Sequence, residues 1–176
     1  MAVLTIAKLG SPILRQVAAP VDPTQIRTRV FQQFLDALLE TMVAADGIGL
    51  AAPQVSRSEQ VVVMECKGTK GFPQTILINP VIVGRSPATA EGWEGCLSVD
   101  NLRGKVTRSV GARVRYLDRD GKSVTLDATG LYAVCIQHEM DHLLGKLFLD
   151  RMTDLSTLTQ LDEFDQYWRT EHADVI

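Results

Sequence analysis

The densest group of chemically capable side chains in this sequence is the run His138-Glu-Met-Asp-His142. Two histidines four positions apart on a helix lie on one face and can both reach a single metal ion. Glu139 lies further round the helix, where it can contact a ligand of that ion without binding it. The spacing therefore predicts a metal-dependent hydrolytic site, with His138 and His142 as ligands and Glu139 as general acid/base.

A catalytic ion of this kind usually has three protein ligands and one open position. Cys96 is the best candidate for the third ligand, because it lies in a glycine-containing run, Glu94-Gly-Cys-Leu-Ser98, with no apolar stretch around it. Cys66 instead lies inside an apolar strand and is interpreted as a core residue. His172 lies among polar residues near the C-terminus and is interpreted as an exposed tail histidine.

Cys135 is an alternative ligand, because it lies three residues before His138 on the same helix. We interpret it as part of a pocket wall, since a sulfur atom at that position would crowd the open metal position. A further alternative is a buried helix whose two histidines are satisfied without any metal. The helix is apolar nearly all round, so its buried histidines need partners, and a metal ion would provide them.

The elements that must position these residues begin with an N-terminal helix. Asp22-Pro23 is typical of a helix start, and apolar residues recur at helical spacing from Ile26 to Val43. We expect this helix to end near Asp46-Gly47. The segment that follows, residues 47–54, is rich in glycine and is predicted to be a loop that closely approaches another group.

Strands are predicted in the middle of the chain. Residues 61–64 are typical of a short buried strand, and residues 75–83 of a second one, which Asn79-Pro80 should place at a sheet edge or bulge. Residues 110–126 alternate around Asp118-Arg-Asp-Gly121, which predicts a half-buried antiparallel hairpin.

Two more helices are predicted after the strands. The first covers residues 131–144 and should end at Gly145, and the second covers residues 155–168. Strands precede the apolar helix without regular alternation, so the predicted class is α+β. We expect one catalytic domain over residues 1–176, in which antiparallel sheets pack around a central buried helix that carries the metal motif.

Bulk properties exclude several functional classes. The chain has 176 residues and a formal net charge of −3, with no basic block that would attract nucleic acid or an anionic membrane. Three cysteines are few for a disulfide framework, and an odd number cannot all be paired with one another. Their number therefore favours a reducing compartment. We find no signal peptide and no membrane span, so we expect a cytoplasmic protein without membrane partners.

Three separated motifs resemble those of the peptide deformylases. They are Gly47-Ile-Gly-Leu-Ala-Ala-Pro-Gln54, Glu94-Gly-Cys-Leu-Ser98 and Gln137-His-Glu-Met-Asp-His-Leu143, in the family's order and spacing. The opening Leu9-Gly-Ser-Pro12 with Leu14-Arg15 also matches. One departure is Asp100, which stands where the family usually has proline and frees one backbone N–H.

The resemblance implies an enzyme that removes the formyl group from the formyl-methionine of newly made proteins, near the ribosome, and releases formate. It implies Cys96, His138 and His142 as ligands of one divalent ion, usually Fe²⁺, which Zn²⁺, Ni²⁺ or Co²⁺ can replace. A ligand set of one thiolate and two imidazoles does not choose among these metals. Glu139 would take a proton from a metal-activated water and deliver it to the leaving amine.

The resemblance also implies donors for the oxyanion, namely the Gln54 side chain and the Leu97 backbone N–H. An extended peptide substrate would add as a strand, with Gly49 and Gly95 in the segments that flank it. Two further expectations are that Arg103 contacts the substrate backbone and that Glu94 pairs with Arg108 to fix the Cys96 loop. The residues expected to line the methionine pocket, together with His138, are Ile48, Leu131, Val134 and Cys135.

Two rival functions share parts of this pattern. A zinc peptidase also carries the two-histidine motif, but its cleft must accept a chain on both sides of the cleaved bond. A protein with a structural metal site would close the ion with four protein ligands, for example by adding Cys135. A structural site has no need for Glu139 or Gln54, so their presence favours the enzyme.

Overall fold

The computed structural model describes residues 3–169, and His172 lies outside them. Within that range the α-helices are α1 (Arg29–Ala44), α2 (Gly130–Leu143) and α3 (Leu161–Tyr167). The strands are β1 (Gly49–Ala51), β2 (Val61–Cys66), β3 (Phe72–Arg85), β4 (Thr89–Cys96), β5 (Val99–Ser109), β6 (Gly111–Leu117), β7 (Ser123–Thr129) and β8 (Thr159–Gln160). Short 3-10 helices cover Pro12–Arg15, Pro23–Gln25, Ala52–Val55, Phe148–Arg151 and Leu155–Thr157.

The strands form two antiparallel sheets. One has five strands in the order β1-β2-β3-β6-β7, and the other has three in the order β4-β5-β8. Helices and antiparallel sheets in one chain confirm the predicted α+β class. None of the helices among residues 3–169 has both the length and the apolar character needed to cross a bilayer.

The start of the N-terminal helix differs from the prediction. Asp22 does cap a helical turn, accepting a hydrogen bond from the Thr24 N–H at 2.9 Å, but that turn is only the 3-10 helix Pro23–Gln25. The long helix α1 begins later, where the Thr28 side chain accepts from the Phe31 N–H at 3.3 Å. It ends at Ala44, close to the predicted end.

The glycine-rich segment after α1 is more ordered than predicted. Part of it forms β1, which pairs with β2 in the register Leu50↔Val63, and the rest forms the 3-10 helix Ala52–Val55. The loop prediction is therefore wrong for residues 49–54. Glycine is needed at position 49 for close packing against the neighbouring helix, and the strand conformation itself is ordinary.

The strand that contains Asn79-Pro80 lies in the middle of its sheet, between β2 and β6, and not at an edge. The alternative, a bulge, is confirmed by a register shift between Ile78 and Val81. Asn79 adopts a positive φ of 51°, and its side chain bonds both the N–H and the carbonyl oxygen of Val21. The bulge thus accommodates a proline inside a central strand.

Helix α2 packs against strands of both sheets, and the side chains of its last two turns are largely buried. It begins at Gly130 and is followed by Gly145 at a φ of +69°, as the sequence predicts. The hairpin β6–β7 is also confirmed, with Leu117 opposite Ser123 next to the turn.

Two parts of the fold differ from the prediction: one hairpin was not predicted, and the C-terminal helix has different bounds. The hairpin β4–β5 carries Cys96, but glycines and charges obscure its alternation. The C-terminal helix is shorter than residues 155–168, because a 3-10 turn and the strand β8 precede α3. Helix α3 is held by Phe164, whose ring packs edge-on against Trp93 of β4 with the centroids 5.1 Å apart.

Candidate metal centre and cleft

Three potential metal ligands from two elements meet at one point. Cys96 ends β4, and His138 and His142 lie one turn apart on α2. One ligand atom from each lies within 4.8 Å of the other two, and Cys96 Sγ is 3.4 Å from His142 Nε2. Atoms bound to one zinc-like ion lie about 2.0–2.3 Å from it. The group therefore fits a single ion with three protein ligands.

The ring of His138 is oriented by a carboxylate. His138 Nδ1 is 2.9 Å from Glu94 Oε2. A carboxylate can only accept, so Nδ1 carries the hydrogen and the lone pair of Nε2 is left for a metal. This arrangement is the usual outer support of a metal-binding histidine.

Glu94 is held in turn by the expected ion pair with Arg108. The contact is bidentate, with Nε–Oε1 and Nη2–Oε2 distances of 2.7 and 2.9 Å, and both side chains are buried. Burial raises the pKa of Glu94, but the hydrogen bonds from Arg108 and His138 outweigh it and lower the pKa to about 2. The carboxylate is thus kept ionised beneath the metal centre.

Asp141 extends this buried network. Its Oδ2 accepts from Arg108 Nη1 at 2.6 Å, and it also pairs with Arg151. The fourth residue of the histidine motif therefore supports the arginine that holds Glu94. Removal of one member would leave an uncompensated buried charge, which typically costs about 3–5 kcal/mol.

The Cys96 sulfur has the surroundings of a thiolate. Burial raises the pKa of its thiol, but the two imidazoles of His142 and His138 lower it well below the ordinary value. The Ser98 N–H donates to the sulfur at 3.4 Å, and Gln54 Nε2 lies 3.6 Å from it. A thiolate is the form of cysteine that binds metals.

The Gln54 amide is oriented by its own loop. Its Oε1 accepts from the Ala51 N–H at 2.8 Å, which turns its NH₂ group towards Cys96 and the Ser98 hydroxyl. The amide therefore points donors at the metal centre. Leu97, the other residue expected to donate a hydrogen bond, follows Cys96 directly and lines the same cleft.

A strap formed by residues 7–9 ties these two donor segments together. The Ala7 N–H donates to the Gln54 carbonyl, and the Leu9 N–H donates to the Ser98 carbonyl, both at 2.7 Å. Lys8 Nζ bonds the Leu97 carbonyl at 2.8 Å and the Asp100 carboxylate at 2.7 Å. Asp100, which replaces the expected proline, thus has a partner in the strap.

Glu139 is buried beside the three ligands. Burial raises its pKa, and its Oε2 has no hydrogen-bond partner within residues 3–169. The Nδ1 atom of His142 is likewise unpartnered in the described part of the chain. Buried polar atoms without partners are costly, so this pocket of unsatisfied groups fits a site that takes a metal and a polar reactant.

A cleft of about 560 Å³ opens onto this centre. It brings together most of the residues singled out from the sequence. Those that line it are Ile48, Gly49, Gln54, Gly95, Cys96, Leu97, Arg103, His138 and Glu139. The guanidinium of Arg103 lies against Gly95, where any side chain would collide with it.

The remaining candidates lie elsewhere. Leu131 and Val134 line a second cavity, of about 170 Å³, between α2 and β4. Cys135 is fully buried, and its Sγ contacts the Ile48 carbonyl at 3.7 Å. Among residues 3–169, the group that could hold a metal contains Cys96 and not Cys135, so the described residues offer three candidate ligands rather than four.

Leu161 and Arg169, at the two ends of the α3 region, also line the cleft, and sequence reasoning missed both. No local signal marks them. They reach the cleft because Phe164 anchors α3 on Trp93, a contact between residues far apart in the chain.

Comparison with known proteins gives a consistent result. A family model described as polypeptide deformylase matches residues 3–157. The chain is 45% identical over 155 residues to peptide deformylase 2 of Xanthomonas axonopodis pv. citri, a match that covers 88% of this chain and 90% of that protein.

Solved structures agree with the sequence relatives. A class I type b peptide deformylase from Acinetobacter baumannii bound to Met-Ala-Ser matches with a TM-score of 0.83 and 36% identity, covering 86% of this chain and 99% of that one. A peptide deformylase from Synechococcus elongatus in complex with actinonin matches with a TM-score of 0.81 and 38% identity, covering 96% of this chain and 87% of that one.

Proposed function

The chain belongs to the polypeptide deformylase family, and from this we propose that it hydrolyses the formyl group from the formyl-methionine of newly made proteins, releasing formate. The observation that carries the proposal is the buried carboxylate of Glu139, whose Oε2 has no hydrogen-bond partner within residues 3–169, next to three candidate metal-ligand side chains at a cleft. The solved relative that holds Met-Ala-Ser holds a peptide of the kind such a reaction leaves behind.

We propose Cys96, His138 and His142 as the ligands of one divalent ion, natively Fe²⁺. An ion bound there supplies Lewis acidity, which makes a water nucleophilic near neutral pH and polarises the formyl carbonyl. The mixed sulfur and nitrogen ligands suit Fe²⁺, Zn²⁺, Co²⁺ and Ni²⁺ alike. Metal analysis of protein purified without oxygen identifies the native ion.

Glu139 is proposed as the group that moves the proton. Its carboxylate accepts a proton from the attacking water and later donates it to the amine nitrogen that leaves with the peptide. Its burial supports this role, because a raised pKa brings the carboxyl closer to the pH at which it must both accept and release a proton.

Gln54 and Leu97 are proposed as the oxyanion donors. The Gln54 NH₂ is already turned towards the centre by the Ala51 N–H, so it needs no reorganisation when charge develops on the former carbonyl oxygen. The Leu97 N–H comes from the residue next to the ligand Cys96. Both donors belong to segments that the strap of residues 7–9 holds in place.

The peptide itself is proposed to bind as an added strand. β1 is the edge strand of its sheet, and its first residue, Gly49, lines the cleft together with the Gly95–Leu97 segment. Backbone hydrogen bonds on both sides give affinity without much sequence preference, which suits an enzyme that processes many different new chains. Arg103, on the same wall as Gly95, is proposed to contact the substrate backbone.

The first side chain of the substrate is proposed to enter along α2. Leu131, Val134, Cys135 and His138 recur at helical spacing on one face, so the second cavity lies along the helix from the metal centre. Ile48 completes the opening of this pocket. We place the reaction in the cytoplasm near the ribosome, where a reducing environment keeps Cys96 available as a thiolate.

The direct test is formate release from formyl-Met-Ala-Ser by protein purified without oxygen. We expect turnover of this peptide and none of acetyl-Met-Ala-Ser, whose extra methyl group must be accommodated in the space beyond the carbonyl. Cleavage of internal peptide bonds without formate release would favour the peptidase alternative and overturn the proposal.

Gly49→Ala is expected to lower kcat by about a hundredfold, because a small displacement of a catalytic group has an effect of that order. A Cβ atom at position 49 would collide with Glu139 Oε1 and lie 2.9 Å from Cys135 Sγ. Steady-state kinetics on formyl-Met-Ala-Ser measure the loss.

The matched control is Gly84→Ala on β3, where the added Cβ meets only Arg113 Cβ at 3.6 Å. We expect this variant to keep full activity. Equal activity of the two variants would show that Glu139 is not held in place by its packing under Gly49.

A further inference from the structure

The peptide group between Leu97 and Ser98 is held from both sides. Its N–H, which belongs to Ser98, donates to Cys96 Sγ at 3.4 Å. Its carbonyl oxygen, which belongs to Leu97, accepts from Lys8 Nζ at 2.8 Å. In a trans peptide the N–H and the carbonyl point in opposite directions, so the ammonium and the sulfur lie on opposite sides of one planar group. This peptide therefore connects an exposed lysine to a candidate metal ligand.

The ammonium group of Lys8 is placed by a second contact. Asp100 Oδ1 accepts from Lys8 Nζ at 2.7 Å, and Asp100 also lines the cleft. The two side chains are 52% and 57% exposed, so this ion pair contributes little to the stability of the fold. The pair thus lies beside the site, and it can be removed without unfolding the chain.

The next carbonyl along the chain is held independently of the lysine side chain. The Leu9 N–H donates to the Ser98 carbonyl at 2.7 Å. This bond joins two backbone groups, so it persists when the side chain at position 8 is changed. Replacing the Lys8 side chain therefore frees the Leu97 carbonyl while the strap of residues 7–9 stays attached.

A cation on the Leu97 carbonyl affects its peptide in two ways. It polarises the group, so the N–H on the far side becomes a stronger donor to the sulfur. It also restricts rotation about the Leu97 Cα, to which the nitrogen proposed as an oxyanion donor is bonded. Hydrogen bonds around a ligating group orient it and tune the metal that it binds. The charge of Lys8 can therefore act on the metal centre through a single peptide group.

We propose that Lys8, held by Asp100, is a positioning residue for the Leu97–Ser98 peptide. Through that peptide it strengthens the hydrogen bond to the Cys96 sulfur and fixes the Leu97 N–H. The proposal rests on the proposed deformylase function and on its metal ligands. The proline that usually stands at position 100 in this motif has no carboxylate, so the lysine–aspartate pair belongs to chains that carry an acid there.

The first test uses the Co²⁺-substituted protein, in which a thiolate ligand produces a charge-transfer band in the near ultraviolet. Cys96→Ala should lack this band. A hydrogen bond lowers the energy of the sulfur lone pairs, so its weakening in Lys8→Met should move the band to longer wavelength. Lys8→Arg keeps a cationic donor and should keep the band close to its native position. An unmoved band in Lys8→Met would overturn the link to the sulfur.

The second test measures steady-state kinetics on formyl-Met-Ala-Ser together with Co²⁺ affinity. Lys8→Met should lower kcat by about tenfold with KM nearly unchanged, a smaller loss than the about 10²–10³ that removal of an oxyanion donor costs. Co²⁺ should bind about tenfold more weakly, the lower end of the range for residues that support a metal ligand.

Asp100→Ala tests whether the carboxylate acts through the lysine. This variant should change kcat and Co²⁺ affinity in the same direction as Lys8→Met, by a smaller factor. The double variant should match Lys8→Met alone, because the aspartate has nothing left to hold. Additive losses in the double variant would contradict the role given to Asp100.

Lys105→Met is the matched control. Lys105 pairs with Glu91 at 3.2 Å across the β4–β5 hairpin, and neither residue lines the cleft. This variant should keep the native band and the native kcat, and all the variants should melt at nearly the same temperature. Equal losses of kcat in Lys105→Met and Lys8→Met would show a general effect of surface charge and overturn the proposal. Absence of formate release by the native chain would instead contradict the deformylase function, while the cobalt band would still test the link from Lys8 to the sulfur.

Discussion

Glu139→Gln is expected to bind its metal normally and to lose about 10²–10⁴ in kcat, the range that a positioned acid/base contributes. The amide has nearly the shape of the carboxylate, so packing beneath Gly49 is preserved. It cannot accept a proton from water or return one to a leaving amine. KM should change little, because no backbone contact of the peptide is altered. Single-turnover and steady-state formate release, with metal content measured on the same samples, separate these effects.

Glu59→Gln is a suitable control for that experiment. Glu59 pairs with Arg57, and neither residue lines the cleft. This variant should retain native kcat and native metal content. A fully active Glu139→Gln enzyme would show that the proton travels by another route, whereas loss of its metal would show that Glu139 is itself a ligand.

Cys96→Ala is expected to abolish metal binding and, with it, activity. The sulfur is the only ligand that comes from the sheet, and the two histidines alone leave an ion with too few protein donors. Mutation of a residue that hydrogen-bonds to a metal ligand typically lowers metal affinity by about 10–100-fold. Loss of a direct ligand should lower the affinity by more than that. The metal-to-protein ratio after gel filtration measures the effect.

The other two cysteines provide matched controls. Cys66→Ala, at the end of β2, should keep both metal and activity. Cys135→Ala should also keep its metal, although it opens a small void beneath Gly49. If Cys135→Ala lost the ion while Cys96→Ala retained it, the assignment of the third ligand would be wrong.

The parts of the fold that could be predicted are those whose signal is local. The four-residue spacing of His138 and His142, the Gly145 terminator and the hairpin turn at residues 118–121 each depend on contacts within a few residues. Helix α2 was therefore placed to within one residue, and the β6–β7 hairpin to within three. The N-terminal helix was misplaced at its start because Asp22-Pro23 and Thr28 both satisfy the rules for a cap.

The parts that could not be predicted depend on distant partners. β1 is a strand because it pairs with β2. The sequence of β4 has no strand pattern of its own, and β4 is a strand because it pairs with β5. The approach of Leu161 and Arg169 to the cleft depends on the packing of α3 against Trp93. Within the candidate site, spacing alone supported the two histidines and Glu139, whereas Cys96 required the separate motifs to be read together.

The strap formed by residues 7–9 has a consequence for how the enzyme acquires its activity. Its hydrogen bonds from Lys8 to Leu97 and Asp100 close loops of 89 and 92 residues. Contacts so distant in sequence are entropically expensive and form late, whereas a helix such as α2 needs only its neighbours. During synthesis the strap emerges before its partners; Ala7 can bond Gln54 early, but the bonds of Lys8 and Leu9 form only once residues 97–100 have been made. Catalytic activity therefore requires the tertiary contacts between residues 7–9 and residues 97–100, and formation of secondary structure alone is not sufficient.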